Sequence, residues 1–278
     1  MYKIVKREEL NPTVTSIDVL APMIAKKAEP GQFIIFRVDE EGERVPLTIA
    51  DFDRVAGTVK IIFQIVGKST AKLNTLQVGD SIHDFVGPLG VASHTEGLKK
   101  VAIVGGGVGC AIAYPVAKKI FEQGAAVDVI AGFRNKDLVI LKDEFEKHST
   151  RMFLMTDDGS AGEKGFVTST LEKLLEAGET YDEVIAIGPL VMMRAVANLT
   201  KKYNVKTTVS MNPIMIDGTG MCGGCRLTVG GKVKFACVDG PDFDGHQVDF
   251  DEAIARSSTY REQECAPDKE CNLTKGVN

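Results

Sequence analysis

Surplus positive charge, long apolar runs and histidine in a nucleophile's setting are all missing from this chain. The 278 residues carry a formal net charge of -5 and no clustered run of Lys and Arg interleaved with aromatics. Without a basic field for a phosphate backbone, nucleic acid is not an expected partner. No stretch approaches the roughly 18 uninterrupted apolar residues of a membrane span. The start, Met1-Tyr2-Lys3-Ile4-Val5-Lys6-Arg7-Glu8-Glu9, is charged early and lacks the apolar core of a signal peptide, so the cytoplasm is the expected location. His83, His94, His148 and His246 stand in no recognisable nucleophile context, which counts against a Ser-His-Asp hydrolase. No internal repeat is present.

What is present is an ordinary soluble composition, 44% apolar and 26% charged, in a chain long enough for two cores. The first hundred residues read as short strands between turn signals, at 2–6, 14–19, 33–38, 45–49, 59–66 and 81–86, with one helical stretch at 70–76. Six antiparallel strands with a single helix close most easily as a small barrel. From residue 99 the rhythm changes: strands at 101–104, 127–131, 152–155, 183–187 and 206–210 alternate with helices at 110–123, 168–177 and 190–203. That alternation predicts a doubly wound parallel sheet covered on both faces, a nucleotide-binding architecture by base rate. The charged segment 93–100 is the expected boundary, giving units at 1–97, 98–210 and 211–262, the last a small cysteine-bearing loop subdomain. A polar tail follows at 263–278.

Six cysteines are present: Cys110, Cys222, Cys225, Cys237, Cys265 and Cys271. An even count permits disulfides, but a cytoplasmic chain keeps thiols reduced, so metal ligation is the better reading of the three that fall close together. Cys222-Gly223-Gly224-Cys225 is C-x2-C, Cys237 follows, and Gly218, Gly220, Gly223 and Gly224 let a loop wrap an inorganic cluster with backbone N–H groups aimed at its sulfurs. Three thiolates leave a four-ligand site one short. Zinc held by three thiolates and a carboxylate or imidazole, with His246 nearby, is an alternative. Cys265 and Cys271 compete for the fourth place or are free thiols.

The run Val104-Gly105-Gly106-Gly107-Val108-Gly109-Cys110 follows an apolar strand and opens a helix, the context in which a backbone approaches a pyrophosphate closely. Cys110 replaces the last glycine of the six-residue fingerprint and reads as a small buried residue. Arg134, after the second strand, is placed to meet the adenosine end of a nucleotide or to stand on the surface. Asp157, Gly188 and Pro189 lie at the ends of later strands, where ligands bind in such sheets.

The cysteine segment resembles the cluster loop of the iron-sulfur subunit of dihydroorotate dehydrogenase type B and its relatives, in which C-x4-C-x2-C and a later Cys hold a [2Fe-2S] centre. Asp217 stands at the first position of that pattern, with Cys222, Cys225 and Cys237 at the others. An Asp there is similar to the small subunit of NADH-dependent reduced ferredoxin:NADP oxidoreductases, also described as sulfide dehydrogenases. A carboxylate keeps the formal charge of a thiolate while offering a harder donor, which implies an altered potential; as a bland alternative Asp217 is a turn residue before Gly218.

Pro30-Gly31-Gln32-Phe33-Ile34 and Arg44-Val45-Pro46-Leu47-Thr48-Ile49 resemble the flavin barrel of the ferredoxin-NADP reductase-like superfamily. The resemblance implies FAD, with Arg44 at the phosphates and the Thr48 hydroxyl at the isoalloxazine, the one position with a catalytic role. Arg44 stands four residues before Thr48 where the usual signature has three, and an exposed strand end is its alternative. Gln64-Ile65-Val66-Gly67-Lys68-Ser69-Thr70 matches a diphosphate-binding strand, glycine and helix start, although Ser69 and Thr70 also fit as helix caps. Gly87 lies in the turn that closes such a barrel. The expected FAD set is therefore Arg44, Pro46, Leu47, Thr48, Gln64, Ile65, Gly67, Ser69, Thr70 and Gly87. The expected NAD(P) set is Gly105, Gly106, Gly107, Val108, Gly109, Arg134, Asp157, Gly188 and Pro189.

The resemblance implies electron transfer between NAD(H) or NADP(H), FAD and a [2Fe-2S] cluster. It also implies a larger partner subunit carrying flavin and [4Fe-4S] centres, reached by ferredoxin through the complex, with electron bifurcation or polysulfide reduction as the joint activity. The rivals are the electron-transfer subunit of dihydroorotate dehydrogenase B and, from another class, a zinc-stabilised binding protein without redox chemistry.

Overall fold

The structure, a computed structural model, describes residues 1–259. The expected tail with Cys265 and Cys271, and residues 260–262 of the expected loop subdomain, lie outside them. The chain opens with β1 (Tyr2–Asn11), β2 (Val14–Leu20), α1 (Pro22–Ala25), β3 (Phe33–Arg37), β4 (Val45–Asp53), β5 (Thr58–Gln64), α2 (Lys68–Thr75), β6 (Ser81–Ile82) and β7 (Asp84–Leu89). These strands form one antiparallel sheet in the order β6-β1-β2-β5-β4-β3-β7. Only His83 separates β6 from β7, yet the two stand at opposite ends of that order. The sheet's edges are thereby drawn together into a nearly closed barrel, and the stretch expected as a sixth strand serves as two short ones, one at each edge.

Strand β3 explains why one barrel wall carries so much. Ile34 and Phe36 point into the barrel core, while Phe33 and Ile35 point the other way into a core shared with the following sheet and with the cysteine segment. All four are at most 3% exposed. A strand covered on both faces needs a continuous apolar run rather than alternation, which is what Phe33-Ile34-Ile35-Phe36 supplies.

The second sheet begins with β8 (Lys100–Gly106), α3 (Gly109–Glu122), β9 (Ala126–Phe133), α4 (Lys142–Lys147), β10 (Arg151–Thr156) and β11 (Glu163–Lys164). It continues with α5 (Val167–Glu176), β12 (Glu183–Ile187), α6 (Leu190–Lys202) and β13 (Thr207–Ser210). The order is β11-β10-β9-β8-β12-β13-β16, parallel throughout except for the added antiparallel β16 (Asp242–Asp244). On β8, Val101 and Ile103 face the core under α3, and Ala102 and Val104 face the core under α5 and α6. Helices therefore cover both faces, and the chain's direction of progress reverses between β8 and β12. Crevices outside the carboxyl ends of such strands are where ligands settle. Between β13 and β16 lie a hairpin, β14 (Arg226–Val229) with β15 (Lys232–Phe235), and the turn α7 (Ala236–Asp239); α8 (Phe250–Ser257) follows β16. Among the described residues no helix is long and apolar enough to cross a membrane.

A buried charge braces the second sheet. Asp128 on β9 is 1% exposed and accepts from Arg151 Nε at 2.8 Å and from the Tyr181 hydroxyl at 2.8 Å. Burial alone would raise this carboxyl, but the Arg151 guanidinium and the Tyr181 hydroxyl outweigh it and hold the pKa below its ordinary value. Removing the cation leaves a buried charge unpaired, so Arg151→Ala should cost about 3 kcal/mol in urea unfolding at neutral pH. Because the folded pKa is depressed, the ion pair's contribution is complete above the ordinary carboxylate range and is lost as pH falls through the depressed value. The gap between variant and wild type should therefore narrow in acid; a gap constant with pH would contradict this assignment.

Candidate functional site

At the reversal point the Gly-rich turn between β8 and α3 opens onto a cavity of about 660 Å³. Of the expected NAD(P) set, Gly106, Gly107, Val108, Gly109, Arg134, Asp157, Gly188 and Pro189 line this one cavity, and Gly105 lies in the strand beneath. Gly109 is where glycine is required. A Cβ there would stand 2.6 Å from the Ile187 carbonyl oxygen and 2.7 Å from Gly188 Cα, so any side chain would lift α3 off the end of β12. Cys110 is fully buried next to it, its thiol pushed up to about 12 by burial. Arg134 and Asp157 are exposed at the rim.

The cavity has a second wall that the sequence did not announce. Asn11, Thr13 and Gln64 of the barrel line it opposite the Gly-rich turn, so it lies between the two sheets. Asn11 caps its own turn, accepting from Thr13 N at 2.9 Å, and nothing in the Asn11-Pro12-Thr13 turn signals a ligand. Gln64, expected at the flavin, lines this cavity too, so the expected flavin and nucleotide sets meet there.

Pro46, Leu47 and Thr48 sit half-buried on β4, paired with Ile35, Ile34 and Phe33. Ile65 and Gly87 are also half-buried, and a Cβ at Gly87 would meet Ile34 Cγ2 at 2.7 Å. This partly covered apolar wall, with the Thr48 hydroxyl and the Gln64 amide as its polar groups, fits a flat ring with a polar edge. Three expected contacts are committed elsewhere. Thr70 Oγ1 accepts from Val66 N and Gly67 N, each at 3.1 Å, and is a helix cap. The Ser69 hydroxyl donates to Glu43. The Arg44 guanidinium turns to the cysteine segment: Nε donates to the Ile216 carbonyl at 3.0 Å, and Nη2 reaches the Asp217 carbonyl at 3.5 Å.

The cysteine segment folds as a loop against the barrel. Gly218 has φ +76, and a Cβ there would meet Ile35 Cδ1 at 2.7 Å and Leu89 Cδ1 at 2.8 Å, so the backbone lies directly on β3 and β7. Asp217 holds the loop's turn, Oδ1 accepting from Thr219 N and Oδ2 from Cys222 N, both at 2.7 Å. The Thr219 and Cys222 amides hold its carboxyl below the usual carboxylate range. Each oxygen retains a lone pair for a further partner. Cys225 and Cys237 are buried with their sulfurs 3.3 Å apart and unbonded, and Cys222 is exposed. Burial, followed by the neighbouring Cys225 thiol, pushes Cys237 up to about 12. Backbone N–H groups already point at two sulfurs, Gly224 N at Cys222 Sγ (3.4 Å) and Cys237 N at Cys225 Sγ (3.5 Å), which fits thiolates that must share charge with iron. Among the described residues no three His, Cys, Asp or Glu side chains converge on one point, as a single-metal site requires. His246 does not join the thiols either, because its Nε2 lies 3.0 Å from the buried Thr200 hydroxyl. The zinc alternative thus loses the imidazole it invoked.

Gly109→Ala should abolish measurable NAD(P)H binding in a fluorescence titration, because the clash is with backbone and cannot be relieved by a rotamer. Cys110→Ala, which only trims a buried thiol, should retain it at a stability cost of about 1 kcal/mol. Equal binding by both variants would remove the nucleotide from this turn.

Known proteins carry the same parts. The iron-sulfur cluster binding domain of dihydroorotate dehydrogenase B matches residues 212–249, and the oxidoreductase NAD-binding domain matches residues 103–198. The chain is 46% identical to the dihydroorotate dehydrogenase B (NAD(+)) electron transfer subunit homolog of Thermotoga maritima, over 95% of this chain and 93% of that one. It is 34% identical to the dihydroorotate dehydrogenase B (NAD(+)) electron transfer subunit of Streptococcus pneumoniae, over 87% of this chain and 94% of that one. A chain of the solved NADH-dependent reduced ferredoxin-NADP oxidoreductase, described for flavin-based electron bifurcation, superposes with a TM-score of 0.90 at 44% identity, covering 95% of each. The ferredoxin reductase of carbazole 1,9a-dioxygenase, at 18% identity and a TM-score of 0.63, shares the fold. With a nucleotide turn at a sheet reversal point, a ferredoxin-NADP reductase-like barrel beside it and a thiol loop docked on that barrel, the chain belongs to the family of dihydroorotate dehydrogenase B electron-transfer subunits: it is an electron-transfer subunit of an oxidoreductase, with NAD-binding and iron-sulfur-binding domains.

Proposed function

We propose that the chain is the FAD- and [2Fe-2S]-carrying subunit of a flavin-dependent, electron-bifurcating ferredoxin:NAD(P) oxidoreductase, acting in the cytoplasm with a larger flavin and [4Fe-4S] partner. Polysulfide reduction is a further activity this assignment allows. One observation carries the reading: the cavity beside Gly106–Gly109 is walled by the barrel, and the thiol loop rests on that same barrel through Gly218. Three redox sites thus share one rigid support. The 44% identical chain from a bifurcating complex, matched over 95% of both lengths, supports the finer assignment.

When bound, FAD supplies the conversion of two electrons taken together into electrons released singly. The chain's own residues do the rest. The turn at Gly106–Gly109 brings backbone close to a pyrophosphate, and Gln64 stands between the nucleotide cavity and the flavin wall. On the outward face of β4, Pro46 supplies apolar contact for the ring and the Thr48 hydroxyl is a hydrogen-bond partner for a ring nitrogen, while Leu47 supports this wall from the barrel core behind it. Arg44 is left out of the flavin set because its guanidinium is committed to the Ile216 and Asp217 carbonyls. Asp217, Cys222, Cys225 and Cys237 are the proposed cluster ligands. The dihydroorotate dehydrogenase reading is favoured by the names of relatives at 31–46% identity. The identity of a copurifying partner separates the two.

Anaerobically purified protein should contain FAD, two irons and two sulfides per chain, by the stoichiometry of the proposed centre. Cys225→Ser should lose iron and sulfide while keeping FAD, and Asp217→Cys should keep the cluster at a shifted potential. Loss of FAD together with iron in Cys225→Ser would contradict separate sites, and a colourless protein holding zinc would overturn the redox reading.

A further inference from the structure

We propose that Arg44 is a positioning residue for the iron-sulfur centre, a clamp reaching from the barrel that fixes the backbone at Asp217 and places a positive charge against the ligand-bearing loop. The inference rests on the assignment of Asp217 and the three thiols as the cluster's seat.

Side-chain parity separates Arg44 from the residue after it. Strand β4 starts at Val45, and alternate residues face opposite ways. Val45, Leu47 and Ile49 pack on the barrel core. Position 45, three residues before Thr48, is therefore on the inward set, half-buried against the apolar barrel core, where a guanidinium would be partly desolvated. Arg44 precedes the strand, exposed and on the same parity as Pro46 and Thr48. From there it spans 172 positions of sequence to the Ile216 carbonyl, with the Asp217 carbonyl next to it.

Holding two successive carbonyls with one rigid planar group fixes the peptide between them, which a flexible ammonium does not do. That peptide carries Asp217, whose carboxylate in turn holds the amides of Thr219 and Cys222. The order imposed by Arg44 is thus passed through the Asp217 carboxylate to the backbone of Cys222, the first thiol-bearing residue. The loop has other anchors on the barrel side: Gly218 lies on Ile35 and Leu89, and Val91 N donates to the Gly240 carbonyl at 2.7 Å. Those are apolar or neutral contacts. On the barrel side Arg44 is the cation, touching the loop at Asp217, while Arg226 and Arg256 donate to the Gly223 and Gly224 carbonyls, each at 3.2 Å, from outside the barrel. A fixed cation there stabilises the more negative, reduced state, so its removal makes reduction harder. Because Arg44 is exposed, the effect should shrink with added salt.

The test uses the full chain, prepared anaerobically with its cofactors, as wild type, Arg44→Ala and Arg44→Lys. FAD and iron per chain are measured, and the cluster is titrated against potential by electron paramagnetic resonance. Arg44→Ala should keep its FAD and iron, show a broadened or divided reduced-cluster signal, and titrate at a more negative midpoint. Arg44→Lys should recover the midpoint, since the charge is kept, but not the narrow signal, since the planar fork is lost. Loss of FAD with an unchanged cluster signal would overturn the proposal and return Arg44 to the flavin phosphates. Variants identical to wild type in signal and midpoint would overturn it as well. Wild type lacking any reduced-cluster signal would instead remove the cluster assignment on which the proposal stands.

Discussion

Two apolar faces of one short strand hold this protein together. Ile34 and Phe36 close the barrel core, and Phe33 and Ile35 enter a core that runs on through the parallel sheet to Met215, Cys225, Ala236 and Cys237 of the thiol loop. A second shared core joins Val14, Ala50 and Ile62 of the barrel to α3 and β8. Apolar burial is non-directional, but close packing makes it exacting: with so few voids, parts sharing a core cannot slide independently. The barrel, the nucleotide sheet and the loop are consequently fixed relative to one another by the same side chains that make each of them fold.

Polar contacts then set orientation within that frame. Lys118 of α3 reaches both oxygens of Asp51 on β4 at 3.2 Å, and Ser93 donates to the buried carboxyl of Asp242 beside the end of β13. The Lys118–Asp51 pair is not a large source of stability, since a partly exposed ion pair contributes at most about 1 kcal/mol. The use of both contacts is geometric. They sit at the seams where the barrel meets α3 and where it meets β16, so the nucleotide cavity keeps its two walls at a fixed separation. An electron carrier gains from this, because transfer between bound groups depends on their distance and not on a large conformational step.

Much of this was legible in the sequence because period and composition agreed locally. The strand at 183–187 has the bounds the apolar run predicts, and the helix expected at 190–203 ends one residue earlier. The Gly-rich turn, the thiol spacing and the strand–helix alternation each announce their chemistry through residue types that few other structures require. Other features were silent for physical reasons. The hairpin of β14 and β15 and helix α8 fall after periodicity fades, in a segment whose form is set by docking on other elements. The second wall of the cavity comes from Asn11 and Thr13, distant in sequence and ordinary in type. Thr70 illustrates a real ambiguity: a hydroxyl at a helix start serves a cap and a phosphate equally well, and only the contacts to Val66 N and Gly67 N decide. Arg44 illustrates another, since one residue of offset on a strand reverses the face a side chain takes.

The central claim is that nicotinamide, flavin and cluster sites lie on one rigid support, so that electrons pass from the first to the last within this chain. Anaerobic addition of NADH or NADPH to the isolated holoprotein, without mediator and without a partner subunit, tests it most directly when flavin absorbance and the cluster's paramagnetic signal are followed together. The account predicts that the cluster signal grows in as flavin is reduced. Bleached flavin beside a cluster that stays oxidised until a mediator is added would contradict it.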